Sequence, residues 1–254
     1  MRLHPSRLPA ACLAALLLLL GGCGWFRAQP QPILPAEELY RTGEQELARS
    51  RYDDARARFR DIVARHPDSS YAPRARFLMG EAFFREGDFE KATKEFEAFL
   101  AFYPQHQVAD LVQYRLAMSY YDQMKPVEQD QALTGKALAQ FKKLVKDYPQ
   151  SRYASDGLAK IDICRGRLAQ KELFIAHYYF DQQNNPAAAR QRLEGILKNY
   201  PHTLVIPETL FLLADVNFKE ARTADAVALL RRLTAEYSYT EWGKRAAQRL
   251  SVSR

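Results

Sequence analysis

The sequence predicts an all-α protein, built as an array of five helical hairpins after an N-terminal export segment. Three observations lead to this prediction. A dipeptide recurs along the chain, apolar residues recur at fixed distances before each copy of it, and a second set of apolar residues recurs in the segments between these repeats. Self-similarity at a period of a few tens of residues is the signature of repeat architectures. The recurring dipeptides are His66-Pro67, Tyr103-Pro104, Tyr148-Pro149, Tyr200-Pro201 and the proline-free Tyr237-Ser238.

The columns before each dipeptide describe one face of an α-helix. Counting back from its second residue, position −12 is alanine in all five units, and positions −8 and −5 are large and apolar. The columns are Ala55, Ala92, Ala137, Ala189 and Ala226; Phe59, Phe96, Phe141, Leu193 and Leu230; Ile62, Phe99, Leu144, Ile196 and Leu233. Together with the first residue of the dipeptide at position −1, these positions are spaced by four, three and four residues, which follows the helical period. The alanine lets two helices approach closely, and the proline ends the helix.

A partner helix precedes each of these second helices. In the second unit, Gly80, Phe83, Ala92, Phe96 and Pro104 follow the small–aromatic–alanine–aromatic–proline order. That order resembles the tetratricopeptide repeat. The resemblance implies a right-handed superhelix of five hairpins, in which the first helices line an inner groove.

Two units are longer than the others, since successive turn dipeptides are 37, 45, 52 and 37 residues apart. The extra residues of the third unit fall within 124–134, which contains Pro126, and predict a longer turn inside that hairpin. The extra residues of the fourth unit predict one continuous helix from Tyr153 to Gln182, which Asn184-Asn185-Pro186 ends. This double-length helix divides the array into two halves, 36–150 and 151–254.

The N-terminal segment reads as an export signal. Arg2 and Arg7 precede an apolar run, and Leu20-Gly21-Gly22-Cys23 resembles the lipobox of bacterial lipoproteins. We therefore predict a signal peptide over 1–22, lipidation of Cys23 as the membrane anchor, and a proline-containing flexible tether over 23–35. The alternative is an ordinary signal peptide with a chance cysteine.

Charge and motif content favour a binding protein over an enzyme. The net charge of +7 is spread as mixed signs along helices, which indicates a solvated surface and no nucleic-acid partner. Cys164 is the lone cysteine of the repeat array, and its apolar neighbours predict burial. The sequence contains no metal-binding or phosphate-binding motif and no nucleophile with a plausible base, so we expect no catalytic residue, no metal and no cofactor.

A second set of columns lies along the first helices, on the predicted inner face. Large apolar residues recur seven positions apart, with mostly acidic residues between them. They are Tyr40, Phe77, Tyr114 and Phe211; Leu47, Phe84, Tyr121 and Phe218; Glu44, Glu81, Met118 and Asp215. Such a face predicts apolar sockets with polar rims, suited to a peptide with aromatic side chains. The alternative is that these aromatics pack between neighbouring hairpins.

Several longer stretches resemble the BamD family, the lipoprotein subunits of the outer-membrane β-barrel assembly machine. They include Phe99–His106, Ser119–Gln123, Lys136–Phe141, Tyr148–Tyr153 and Cys164–Ala169. The resemblance implies a protein anchored by lipid to the outer membrane and facing the periplasm. Its implied partners are the POTRA domains of the barrel-forming subunit, other lipoproteins of the machine and unfolded outer-membrane proteins.

The resemblance also divides the site residues between the two halves. Units one to three would receive substrate, and the C-terminal half would dock on the barrel-forming subunit. The substrate residues are Tyr40, Glu44, Phe77, Glu81, Phe84, Tyr114 and Tyr121, and the docking residues are Tyr178, Tyr179, Phe211 and Phe218. Two alternatives stay open: a periplasmic scaffold for cell division or envelope maintenance, and a helical accessory protein of an envelope enzyme.

Overall fold

The computed structural model describes residues 33–252, which form eleven α-helices and no strand. The helices are α1 Ala36–Ala48, α2 Tyr52–Arg65, α3 Ala72–Glu86, α4 Phe89–Phe102, α5 Ala109–Tyr121, α6 Ala132–Asp147, α7 Ala154–His177, α8 Pro186–Asn199, α9 Ile206–Lys219, α10 Thr223–Glu236 and α11 Glu241–Val252. Each helix packs mainly on the helices before and after it in the chain. The predicted array of five hairpins is confirmed, and α11 follows the fifth hairpin.

The three residue columns of the second helices form the buried core of the hairpins. All five alanines of the −12 column have no exposed surface, and the −8 and −5 columns are at most 1% exposed. Two glycines show how closely the helices approach: a Cβ on Gly43 would lie 2.6 Å from Phe59, and one on Gly80 would lie 2.5 Å from Phe96. Small residues at these crossings are therefore a steric requirement of the hairpin.

The turns between hairpins repeat in detail. Each of the first four second helices ends two residues before the turn proline. The N–H of the residue between them donates to the carbonyl four residues earlier, as from Tyr103 to Phe99 over 2.8 Å. Two further backbone bonds start the next helix, as from His106 to Tyr103 and from Ala109 to His106. The same pair of bonds occurs in the segments 66–72, 148–154 and 200–206. The following first helix consequently begins five residues after each turn proline.

The long turn predicted inside the third hairpin is confirmed as residues 122–131 between α5 and α6. Gln131, which is 8% exposed, holds this loop from within, because its Nε2 donates to the carbonyl of Pro126 over 2.8 Å. The loop is also tied to α7, where Arg167 donates to the carbonyl of Lys125 and Lys171 to that of Glu128, each over 2.9 Å.

The double-length helix is confirmed as well, with one local difference. Helix α7 runs to His177 and continues as a single π-helical turn over Tyr178–Gln182. Asn184 then adopts a φ of 48°, and the Asn185 side chain accepts from the Ala188 N–H to cap α8. The predicted stop signal therefore acts where expected.

Helix α7 joins the cores of two neighbouring units. Its first half contributes Cys164 to the cluster of Ala117, Ala137, Phe141 and Leu144, and its second half packs with the fourth and fifth units. Cys164 is fully buried as predicted, and burial raises the pKa of its thiol to about 11. The described residues from Ala36 onward form one compact unit. The division at 150/151 thus stays a prediction about function.

The predicted signal peptide over 1–22, the lipidated Cys23 and most of the tether over 23–35 lie outside the described residues. Among the helices that are described, none combines the length and apolar character that a membrane crossing requires.

Candidate functional site

The inner face is defined here by three positions of each first helix, which lie ten, fourteen and seventeen residues after the turn proline. In the second unit these are Phe77, Glu81 and Phe84, and α1 carries the equivalent residues 37 positions earlier. The structure places all of them on first helices, as the sequence predicts. Their surroundings differ strongly from unit to unit.

Tyr40 and Tyr114 fill the space between neighbouring hairpins. The Tyr40 ring lies 5.1 Å from that of Tyr71, and the Tyr114 ring stacks on Tyr153 with centroids 4.8 Å apart. Burial, reinforced by a neighbouring carboxylate, raises the pKa of each phenol to about 12. For Tyr114 the neighbouring carboxylate is that of Asp156, and the Tyr114 hydroxyl donates to it over 2.8 Å. Both rings are only half-buried, so they pack between hairpins and still present an edge.

Phe77 and Phe84 are the two partly exposed aromatic residues of the first helix of the second unit. Both are half-buried; Phe77 lies 6.2 Å from Phe96, and Phe84 meets Phe89 edge-on at 5.4 Å. The Arg115 guanidinium lies 5.1 Å from the centre of the Phe84 ring. This pair leaves apolar surface next to a cation.

Glu81 does not form a polar rim, contrary to expectation. It is 3% exposed and sits between two arginines, with Arg85 Nε at 3.0 Å and Arg115 Nε at 2.9 Å from its carboxylate. Glu44 at the equivalent position of α1 is exposed. Because one buried carboxylate holds two guanidinium groups, the role of Glu81 is to position Arg115 beside Phe84.

Tyr121 continues the ring row into the third unit. It packs at 6.0 Å on the buried Phe141 and is half exposed on its other side. Lys160 of α7 lies 4.4 Å from the centre of the Tyr121 ring. Cation–π contacts of this kind leave the ring rigid and partly available.

Phe211 and Phe218, predicted to dock a partner, are covered by α11. Phe211 is 7% exposed, with the Trp242 ring 5.3 Å away, and Arg245 lies 4.8 Å above it. Arg249 lies 4.7 Å from the Phe218 ring and forms an ion pair with Asp215. A direct contact of Phe211 with a partner is therefore sterically blocked, because the helix after the fifth hairpin occupies that part of the inner face.

Tyr178 and Tyr179 lie on the π turn at the end of the long helix. Tyr178 is 49% exposed, and its hydroxyl accepts from Gln183 over 2.9 Å. Tyr179 packs against the C-terminal core and stands beside Arg192. Only Tyr178 is thus widely accessible.

Comparison with known proteins decides the family. A family model described as YfiO, outer membrane lipoprotein, matches residues 33–233. The chain belongs to this family. Curated relatives include outer membrane protein assembly factor BamD of Caulobacter vibrioides, 31% identical over 82% of this chain and 69% of the relative. BamD of Rickettsia prowazekii is 30% identical over 80% of this chain and 82% of the relative.

Solved structures with similar helical arrays share much less sequence with this YfiO-family chain. The TPR2AB-domain:pHSP90 complex of yeast Sti1 has a TM-score of 0.44, with 11% identity over 86% of this chain and 83% of that one. A thermophilic TPR protein of Thermus thermophilus has a TM-score of 0.37, with 19% identity over 85% of this chain and 99% of that one.

Sequence reasoning missed two features of the YfiO-family inner face. Arg115 was not singled out, although it stands next to Tyr114 in the inner-face helix and is held by Glu81 from the neighbouring first helix. Helix α11 was not assigned, although Trp242, Ala246 and Arg249 recur at helical spacing after the last turn. No group of three or more potential metal ligands occurs within residues 33–252.

Proposed function

We propose that this chain is a lipid-anchored assembly factor for outer-membrane β-barrel proteins. Units one to three receive unfolded barrel precursors on the inner face, and the C-terminal half docks on the POTRA domains of the barrel-forming subunit. Membership of the YfiO family supports the proposal, as do relatives named outer membrane protein assembly factor. Other lipoproteins of the same machine are expected partners.

The observation that carries the substrate half is the row of half-buried rings formed by Phe77, Phe84 and Tyr121. Each ring packs on another aromatic ring, that of Phe96, Phe89 or Phe141, and keeps part of its surface exposed. Unfolded barrel strands are rich in aromatic side chains at alternate positions, and rigid open rings are suitable sockets for them. The proposed site also includes four residues beside this row, namely Tyr40, Glu44, Tyr114 and the buried Glu81.

The docking half rests on the π turn and its surroundings. Tyr178 offers an exposed ring, while Tyr179 and the nearby ion pair of Arg192 with Glu172, 3.0 Å apart, hold the turn in place. Phe211 and Phe218 would act indirectly, by seating α11 at the end of the array.

Paired substitutions test the division between the two halves. Phe77→Ala with Phe84→Ala should weaken binding of an aromatic-rich outer-membrane peptide by tenfold or more, since about 1.4 kcal/mol corresponds to one decade and anchor residues contribute at least that much. Binding of the POTRA domains should be nearly unchanged. Fluorescence anisotropy with the labelled peptide and with purified POTRA domains measures both affinities.

A matched control is Phe102→Ala, since Phe102 is an exposed aromatic on a second helix, away from the inner face. Circular dichroism must show that every variant keeps its helicity. Tyr178→Ala with Tyr179→Ala should have the reverse effect, weakening POTRA binding alone. If the Phe77/Phe84 variant binds peptide normally and loses the POTRA domains, the two halves are assigned the wrong way round.

A further inference from the structure

The third inner-face position carries no ring in the fourth unit, where it falls on Gly166 in the middle of α7. The four turns over 66–72, 103–109, 148–154 and 200–206 form the same backbone bonds, so residues at equal distances from the turn proline are structurally equivalent. Seventeen residues after the proline stand Phe84, Tyr121, Gly166 and Phe218. Units two, three and five therefore carry a ring at this position and unit one carries Leu47, whereas unit four carries a glycine.

The missing ring leaves an open cleft. A Cβ on Gly166 would meet no atom within 4 Å. A cleft of about 500 Å³ opens there, between α7 and the turn that precedes α9. A volume of this size is typical of sites that enclose a small ligand or a few side chains.

The walls of this cleft are apolar and unusually exposed. Ile163 of α7 is 47% exposed, and Leu204 of the facing turn is 98% exposed. The residues equivalent to Leu204 in the other turns are Ser70, Gln107 and Arg152, all polar. A leucine held almost entirely in water at a position where the repeat otherwise has polar residues is consistent with a surface that another molecule covers.

The rim of the cleft is positive. Arg165 donates to the carbonyl of Asn199 over 3.3 Å, and Arg167 donates to that of Lys125 over 2.9 Å. Within the described residues neither arginine forms an ion pair with a carboxylate, and Asp162 is the one acidic residue among those lining the cleft. Two fixed guanidinium groups against one carboxylate favour an occupant that brings its own negative charge.

We propose that this cleft binds an aromatic side chain of an unfolded polypeptide, with a carboxylate of the same polypeptide on Arg165 or Arg167. The occupant's ring takes the place that Phe84, Tyr121 and Phe218 fill in the other units. This inference rests on the proposed function, since its occupant is a segment of the same substrate. It adds a socket in the C-terminal half of the array, beyond units one to three.

The most direct test is a substitution that places a side chain of this protein inside the cleft. Gly166→Phe restores the ring that the repeat pattern lacks, and it removes a helical glycine, so the variant should fold at least as stably as the parent chain. Gly135→Phe is the matched control, because a Cβ on Gly135 also meets no atom within 4 Å and this glycine lies on α6, outside the cleft. A second variant, Leu204→Ser, removes one wall without touching the core.

The probe is a short fluorescein-labelled peptide with one phenylalanine beside one glutamate, accompanied by its Phe→Ala and Glu→Gln forms. We expect Gly166→Phe to weaken binding of the parent peptide by about tenfold, Leu204→Ser by severalfold and Gly135→Phe not at all. The Phe→Ala peptide should bind weakly to every form of the protein, with no further loss on Gly166→Phe. The Glu→Gln peptide should bind severalfold more weakly than the parent.

The outcomes separate this inference from the proposed function. Unchanged peptide affinity in both Gly166→Phe and Leu204→Ser overturns the cleft as a binding site and leaves the inner face of units one to three as the receptor. Equal losses in Gly166→Phe and Gly135→Phe also overturn it, because the effect would then be a general one of bulk on the helices. If the parent protein does not bind aromatic peptides at all, both the proposed function and this inference fail.

Discussion

At the scale of single residues, steric space decides which small side chains the repeat can exchange. Gly80 lies against the fully buried Phe96, and a Cβ there would come within 2.5 Å of the ring. Gly135, also helical, faces open space. The repeat motif includes Gly80 and not Gly135, and the contacts of the two glycines give the steric reason.

Gly80→Ala should therefore destabilise the protein by about 1–3 kcal/mol, the usual cost of overpacking a core that has no room to shift. Gly135→Ala should stabilise it by roughly 0.5–1 kcal/mol, because alanine restricts the unfolded chain and suits a helix. Urea denaturation followed by circular dichroism measures both changes. Equal effects of the two substitutions would contradict the steric assignment.

At the scale of elements, the end of α7 is joined to α9 by a histidine. His177 Nε2 lies 3.1 Å from Glu208 of α9, and Nδ1 lies 3.0 Å from Asp181 on the π turn. The hydrogen bond with Glu208, assisted by that with Asp181, raises the pKa of the imidazole against the opposing effect of burial. The charged form thus links the long helix to the fifth hairpin.

This link predicts a defined pH dependence. Because the folded pKa is raised, the stabilisation is fully present below the unfolded value of about 6.5 and is lost as pH rises through the folded value. His177→Gln should therefore reduce stability most between about pH 5 and 6.5, and the two proteins should converge at higher pH. Denaturation midpoints across this range measure the effect, with His202→Gln as an exposed control. A deficit that grows with pH would refute the link.

At the scale of the whole molecule, each helical hairpin is stabilised by packing on the hairpins next to it. The described chain contains four successive apolar clusters, each shared between adjacent helices. Such arrays need their ends covered, because a terminal repeat has one face without a neighbour. Helix α11 meets this need at the C-terminal end by covering Phe211 with Trp242.

For the whole molecule, the sequence also predicts attachment to the membrane through a lipid on Cys23. Cys23→Ala should leave the protein unprocessed or unanchored, because lipid chains on this cysteine would supply the attachment. Fractionation of cell envelopes by sucrose gradient, with blotting against this chain, shows where the variant resides. Wild-type levels of the variant in the outer membrane would disprove lipid anchoring at this residue.

The sequence by itself determined the repeat, because burial within a helix follows a period that local spacing reveals. The alanine and large apolar columns, the long turn before α6, the double-length α7 and the cap at Asn185 are all where these patterns predict. The inner-face columns were also placed correctly on the first helices.

Only the tertiary structure decided which inner-face groups remain accessible. Glu81 is buried because Arg115, 34 residues away in sequence, approaches it from the next first helix, and Phe211 is covered because α11 folds back onto α9. The cleft at Gly166 likewise requires Leu204 from a distant turn. Such coverage depends on which remote elements meet, and a pattern within one helix carries no information about the surface of its neighbour.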